Sequence, residues 1–450
     1  MPMDCAALTN QLLNWLVGCS SNFVPDRDCM VEIRIVNPAA GRELFLCRPA
    51  LEGQVILRIP LEAMVTPEMC LSLFSPANLP SVSQASPYAL ICLWLVVQKT
   101  MVRSTWKPYI DSLPQCYETL LSTPLVTDQS LVTSYVAGKI RQREIDQHWA
   151  LFESVKEEVE RLYDMVVVDS GGEIQSCSKP SNYRDCLQWA FETITSRSCF
   201  FPSSRNQWRR DFALVPLLDF DNFVEESPVH VEYNVDEKSY LVTALRDMAA
   251  NETVCFTYGE FDNFHLWLLY GFVFSPNAFD AIPCPAFPWE AFIGWLKHVD
   301  PIFKTMSPAK YEHLVQKKRA LLAQRSLDLE SGKLTASGPN FNLTVISRVF
   351  ALRPDELAQS WSVTGGEPCA CWLSEIATLT FLLSYVVAAI RKIDTIGNPQ
   401  SIVPQNLIES DRQLLCSAKD ALTTLWATEC ATAVPLEQAK WKQIKSELCT

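Results

Sequence analysis

Residues 255–272 read "CFTYGEFDNFHLWLLYGF" and contain Tyr-Gly twice, at Tyr258-Gly259 and Tyr270-Gly271. The run leading into the first pair, "ETVCFTY", is rich in β-branched and aromatic residues and is predicted as a strand entered through Asn251-Glu252. The apolar run between the pairs predicts a short helix. Glycine after each element suits a termination, because it takes backbone angles that other residues avoid. One reading is therefore two elements, each closed by glycine. The other is two phenols aimed at one place. From residue types alone both tyrosines are structural, since a buried tyrosine usually packs and makes one hydrogen bond.

Strand signals continue on the N-terminal side of this stretch. "VHVEYNVDEKSYLVTA" is predicted as a hairpin turning at Asp236-Glu237. Much earlier, "LFLCRPALEGQVILRIP" also reads as a hairpin, with Leu44 and Leu46 alternating, a turn at Glu52-Gly53, and Val55, Leu57 and Ile59 alternating again. Helical character fills the interval. "SPYALICLWLVVQKT" predicts a buried helix, and "LFESVKEEVERLYDMV" sets Leu151, Val155, Val159 and Leu162 on one face. Loops rich in Ser, Pro and Gly are predicted at Ser75–Pro87 and Ser170–Ser181, and an N-terminal helix at Cys5–Leu16. Beyond "SPNAFDAIPCPAFP", read as a proline-rich linker, the chain is helix-dominated to Thr450, with Leu415, Ala418, Leu422 and Leu425 as one apolar face. Strands thus bracket a helical insertion. The expected class is α+β.

The 450 residues are 48% hydrophobic and 20% charged, which suits globular domains with ample core. A net charge of −13 excludes the basic excess a nucleic-acid binder needs, and is compatible with a basic protein as partner. "MPMDCAALTN" lacks a basic stretch followed by an apolar one, so no secretory signal is expected, and the 17 cysteines are expected as reduced packing residues of a cytoplasmic or nuclear protein. No paired CxxC spacing calls for a metal, and Cys369-Ala370-Cys371 is read as structural. Trp372–Ile390 approaches the length of a membrane span, but Glu375, Thr378, Thr380 and Ser384 interrupt it, so a buried helix and no membrane partner are expected. The five histidines, His148, His230, His265, His298 and His313, form no catalytic or metal motif, and no Walker or dinucleotide loop is present.

In this setting "TYGEFDNFHLWLLYGFVFSPN" resembles the C-terminal part of a SET domain of the Rubisco large-subunit methyltransferase type. There one Tyr-Gly ends a strand and a second Tyr-Gly-Phe follows a Leu-rich helix. Five further stretches agree in order: "GRELFLCRPALEGQVILRIP", "WKPYIDSLP" (Trp106–Pro114), "WAFETITSRSCF" (Trp189–Phe200), "LVPLLDFDNF" (Leu214–Phe223) and "SGPNFNLTVISRVFAL". The resemblance covers about residue 30 to the C-terminus. It implies an N-terminal helix at 1–28, a SET domain at 29–275 with a helical insertion at about 67–194, and a helical substrate-binding domain at 289–450. The implied activity is transfer of a methyl group from S-adenosylmethionine to a lysine side chain of a protein substrate, with a histone or other basic protein as partner. A monomer is expected.

The resemblance also assigns residues. Tyr258 matches the catalytic tyrosine, and Tyr270 and Phe272 match the walls of the lysine channel. For the cofactor, Gly41 matches the first glycine of a Gly-x-Gly loop that includes Arg42 and Glu43. Arg197 matches the arginine that meets the cofactor carboxylate, where a guanidinium fork fits. Asn222 matches the Asn of an Asn-His pair. Two positions depart from the pattern: Glu43 replaces the second glycine, and Phe223 replaces the histidine. A carboxylate at Glu43 would either pair with the cofactor's positive groups or obstruct the pocket. Two rivals stand beside this reading, a protein-histidine methyltransferase and a SET-type binding protein without turnover.

Overall fold

The β-branched runs on either side of the helical interval assemble into sheets in the computed structural model. It describes residues 5–35, 41–101, 103–117, 136–169, 174–176, 179–202, 210–284, 287–369, 371–396 and 405–449. The chain divides into two compact units. One holds Met1–Ser122, Gln147–Glu260 and Leu268–Gly271; the other holds Thr123–Asp146, Phe261–Trp267 and Phe272–Thr450. The class is α+β, as expected.

In the first unit the early strands are β1 (Val31–Arg34), β2 (Glu43–Leu46) and β3 (Val55–Pro60). Two short antiparallel pairs follow, β4 (Val167–Asp169) with β5 (Ile174–Ser176), and β6 (Ser198–Pro202) with β7 (Arg210–Leu214). The remaining strands are β8 (Asn222–Phe223), β9 (Val229–Asn234), β10 (Ser239–Ala244) and β11 (Thr253–Phe256). They form a four-stranded sheet ordered β1-β2-β11-β8 and a three-stranded sheet ordered β3-β10-β9. The β9–β10 hairpin forms at the expected turn.

The expected hairpin at residues 44–60 does not form. β2 and β3 are both strands, but β2 pairs with β1 and β11 while β3 pairs with β10. Residues 47–54 pair elsewhere: Ala50 bridges Met248, and Gly53 N–H and Gln54 C=O bond to Ala244. Strand character is a local property, whereas the partner is chosen by which sheet can bury the apolar face.

Helices pack the unit around these sheets. The helix Pro87–Thr100 starts under Ser86, whose Oγ accepts Ala89 N–H at 3.1 Å, with proline at the first helical position. Its residues Ala89–Val97 are all buried, against Phe152, Val155, Val159 and Leu162 of the predicted amphipathic face and against the helix Tyr183–Arg197. Leu151 is only half-buried; Phe152 takes its place in the core. The N-terminal helix runs Cys5–Cys19 and buries Leu8, Leu12 and Leu16 with the sheet residues. Each buried leucine of this kind contributes about 1.5–3 kcal/mol.

In the second unit, β12 (Ala281–Pro283), β13 (Lys333–Thr335) and β14 (Gly338–Pro339) form a small antiparallel sheet. The stretch read as a linker therefore contains a strand. The rest is helical. Among the described residues one helix segment, Trp372–Asp394, is long and apolar enough to cross a membrane, but 67% of its apolar window is buried inside the protein. Its polar interruptions have partners there: Glu375 meets Arg348 at 2.6 Å, and Thr380 accepts Trp426 Nε1–H at 2.8 Å. The late amphipathic face is partly corrected. Leu415, Ala418 and Leu422 are buried, Leu425 is 51% exposed, and Trp426 replaces it.

Candidate functional site

Both readings of the opening stretch hold. Gly259 and Gly271 have φ of +131° and +82°, so each Tyr-Gly does terminate an element. The two phenol rings also come together. Tyr258 follows β11 and Tyr270 ends the helix Asn263–Tyr270, and their centroids lie 4.6 Å apart at 32°. Phe223 and Phe256 meet the Tyr258 ring edge-on at 5.5 and 5.7 Å. The Tyr258 hydroxyl donates to the backbone carbonyl of Asp221 at 3.0 Å, which fixes the ring. Burial, then the Asp221 carboxylate, push both phenols above their ordinary value, so at neutral pH both keep their protons. An apolar aromatic surface with two neutral hydroxyls results. Phe272, half-buried, belongs to the second unit.

The central sheet lines up the other candidates. β2 and β11 run antiparallel with Phe45 opposite Thr253 and Leu44 opposite Val254. On the other side β8 runs parallel to β11 with Asn222 opposite Cys255 and Phe223 opposite Phe256. Cys255 thus has Asn222 beside it on β8, and Glu43 at the start of β2 is close enough to act on it. The charges agree: after burial, those of Asp221 and Glu43 push the Cys255 thiol up. Gly41, just ahead of β2, has φ +80° and open space where a Cβ would stand. Arg42 turns away from an open role: its Nη1 donates to Ser112 O at 2.7 Å, and its guanidinium lies 5.8 Å from the Phe220 ring centre.

Arg197 ends the helix Tyr183–Arg197, where a cation complements the helix dipole. Its Nη1 donates to the Asp219 carbonyl, its guanidinium sits 5.9 Å from the Tyr117 ring centre, and its buried Nε has no acceptor. Asp219, 5% exposed, accepts the Tyr109 hydroxyl on Oδ2 at 2.9 Å, while its buried Oδ1 has no partner. Burial, opposed by Arg197, pushes its carboxyl up to about 6. Asp221 is raised well above the usual carboxylate range by burial and then by Asp219, and its Oδ2 is likewise buried and unpaired. Tyr117 completes the group, with its hydroxyl 2.9 Å from Thr193 Oγ1.

Sequence reasoning missed Asp219, Asp221, Tyr109 and Tyr117. A signal existed for the acids: two carboxylates inside the apolar "LVPLLDFDNF" are costly unless a site uses them. Among the described residues no three His, Cys, Asp or Glu side chains gather to hold a metal.

This fold is that of the SET domains of the Rubisco large-subunit methyltransferase type. Superposed on the SET domain of LSMT bound to lysine and AdoHcy, the chain gives a TM-score of 0.55 at 15% identity, covering 98% of this chain and 92% of that one. In sequence it is similar to SET domain-containing protein 4 of Mus musculus, 27% identical over 256 residues, covering 55% of this chain and 56% of that protein. It is also similar to the actin-histidine N-methyltransferase of Danio rerio, 22% identical over 344 residues, covering 73% of this chain and 52% of that protein. The chain thus spans about half the length of the curated relatives it matches. No family model matches it.

Proposed function

We propose that this chain transfers a methyl group from S-adenosylmethionine to the side-chain nitrogen of a lysine in a protein substrate. The observation that carries the reading is the Tyr258–Tyr270 pair, walled by Phe223 and Phe256 and set beside Asn222 and Arg197. The buried polar atoms fit the cofactor. Its amino-acid end bears a carboxylate and an ammonium, and the site holds an unpaired donor, Arg197 Nε, and an unpaired acceptor, Asp219 Oδ1. Asn222 and the open backbone at Gly41 complete the cradle, Arg42 contributes through its backbone, Phe223 and Tyr258 supply aromatic walls, and Glu43 borders it from β2.

Bound S-adenosylmethionine supplies the methyl group and a sulfonium charge. The protein must present a neutral amine. At an ordinary lysine pKa of about 10.4, deprotonation at pH 7 costs about 4–5 kcal/mol. The aromatic channel lowers that cost by desolvating the ammonium. Because the Tyr258 hydroxyl donates to Asp221 O, it meets an incoming amine as an acceptor. It holds the amine N–H and leaves the nitrogen lone pair to face the methyl carbon. The 289–450 region is assigned to holding the protein partner. The net charge of −13 supports a basic one, histones among them, and a monomer in the cytoplasm or nucleus completes the proposal.

One observation favours a second nucleophile. The match to an actin-histidine N-methyltransferase covers 73% of the chain, more than the match to SET domain-containing protein 4. Amino-acid analysis of the methylated product separates methyllysine from methylhistidine. The first experiment is calorimetric titration of the full chain with S-adenosylmethionine. Saturable heat with a rise in melting temperature is expected; neither effect at millimolar cofactor refutes the proposal.

A further inference from the structure

We propose that the Asp221 carboxylate is the counter-charge of the methyl-transfer position, compensating positive charge at the cofactor sulfur before transfer and at the substrate nitrogen after it. This rests on the methyltransferase reading above. Asp221 follows a tight turn, Leu218–Phe220, entered through Leu217 at φ +73°, a left-handed conformation that costs a leucine energy. The turn brings a buried acid, Asp219, and a half-buried one, Asp221, close together and ties the second to Tyr258, since Asp221 O accepts the Tyr258 hydroxyl at 3.0 Å. Asp221 Oδ2 is sealed from solvent with no hydrogen-bond partner.

Among the described residues, the Arg, Asp and Glu side chains that act on one another here are Arg197, Asp219 and Asp221. Fully ionised they sum to one negative charge, which is costly to bury uncompensated. Arg197 spends Nη1 on the Asp219 carbonyl, and Asp219 spends Oδ2 on Tyr109. The excess falls on Asp221, whose charge acts on the Tyr258 and Tyr270 phenols and on the Cys199 and Cys255 thiols. None of these four can supply a cation. Either a proton neutralises the carboxyl or a ligand brings the missing positive charge. Methyl transfer keeps one there throughout: the C–S bond breaks with its electron pair going to sulfur, the N–C bond forms, and the positive charge passes from sulfur to nitrogen.

The test needs no protein substrate. Wild type and Asp221→Asn are titrated with S-adenosylmethionine and sinefungin, which are cationic at the transfer position, and with S-adenosylhomocysteine, which is neutral there. Asp221→Asn is expected to weaken both cationic ligands relative to the neutral one by about tenfold, the scale of one charge-assisted contact. An unchanged ratio overturns the inference. Should the variant not fold, wild type alone decides: calorimetry in two buffers of different ionisation heat should show S-adenosylmethionine releasing more protons than S-adenosylhomocysteine, and equal release overturns it. Failure of wild type to bind any of the three refutes the methyltransferase reading itself.

Discussion

Tyr258 spends its proton on the Asp221 carbonyl and keeps its ring against Tyr270, so its two functions can be separated. Tyr258→Phe retains the ring and loses the oxygen. Methyl transfer in single turnover should fall about a hundred- to a thousand-fold, the scale of one preorganised contact, while the Kd for S-adenosylmethionine changes little. Tyr270→Phe should cost less, because Tyr270 is assigned to the wall. A wild-type rate in Tyr258→Phe with a dead Tyr270→Phe would reverse the assignment. Glu43 begins β2, on the sheet that also carries Asn222, and its charge acts on Cys255. Glu43→Gly should tighten cofactor binding if the side chain obstructs and weaken it if the carboxylate is a ligand. An unchanged Kd would remove Glu43 from the site.

At the scale of elements, the start of the helix Asn263–Tyr270 is held by one amide. Asn263, 1% exposed, donates from Nδ2 to Asp280 Oδ2 at 2.9 Å and to Ser410 Oγ at 2.8 Å. Its Oδ1 accepts Phe274 N–H at 3.0 Å and Asn277 Nδ2–H at 3.2 Å. Asn263→Ala would leave Phe274 N–H without that acceptor and take a donor from the buried Asp280 carboxylate and from Ser410. A loss of about 2–4 kcal/mol in thermal or denaturant unfolding is expected. A second element carries a pH response. His148, on the helix Val136–Tyr163, is 8% exposed and packs edge-on to Phe191 at 5.5 Å. Burial pushes its pKa down to about 4, below that of the unfolded chain, so the unfolded state takes the proton first. The stability it contributes is complete above about pH 6.5 and is lost as pH falls toward 4, by about 3 kcal/mol. His148→Leu should flatten the unfolding free energy across that window; an unchanged slope would show the acid response lies elsewhere.

For the whole molecule, the division into two units changes what truncation does. Residues 123–146 and 261–267 belong to the same unit as 272–450, so a cut after Pro288 runs through a unit instead of between domains. β12 would lose β13, Asn263 would lose Ser410, and the buried Arg141, paired with Asp262 at 3.0 Å, would lose the Asp411 charge. Fragment 1–288 should therefore be insoluble or melt without cooperativity, as checked by expression and calorimetry. A folded fragment that binds S-adenosylmethionine would show that the first unit stands alone.

What the amino-acid sequence determined by itself was local. Strand character at 43–46, 55–60 and 253–256, the hairpin at 229–244, the buried helix at 87–100 and the glycine terminations after Tyr258 and Tyr270 all follow from period, turn residues and backbone freedom within a few residues. The six stretches in family order carried the candidate residues as well. Tertiary structure alone decided three things. It gave β2 and β3 to different sheets, because strand partners are set by where an apolar face can be covered, not by the turn between them. It replaced Leu425 by Trp426 and put a strand in the proline-rich stretch, because burial depends on what arrives from elsewhere in the chain. It also gathered Arg197, Asp219 and Asp221 beside Tyr258, a grouping of charges whose energies depend on burial and on one another and so have no meaning along a linear chain.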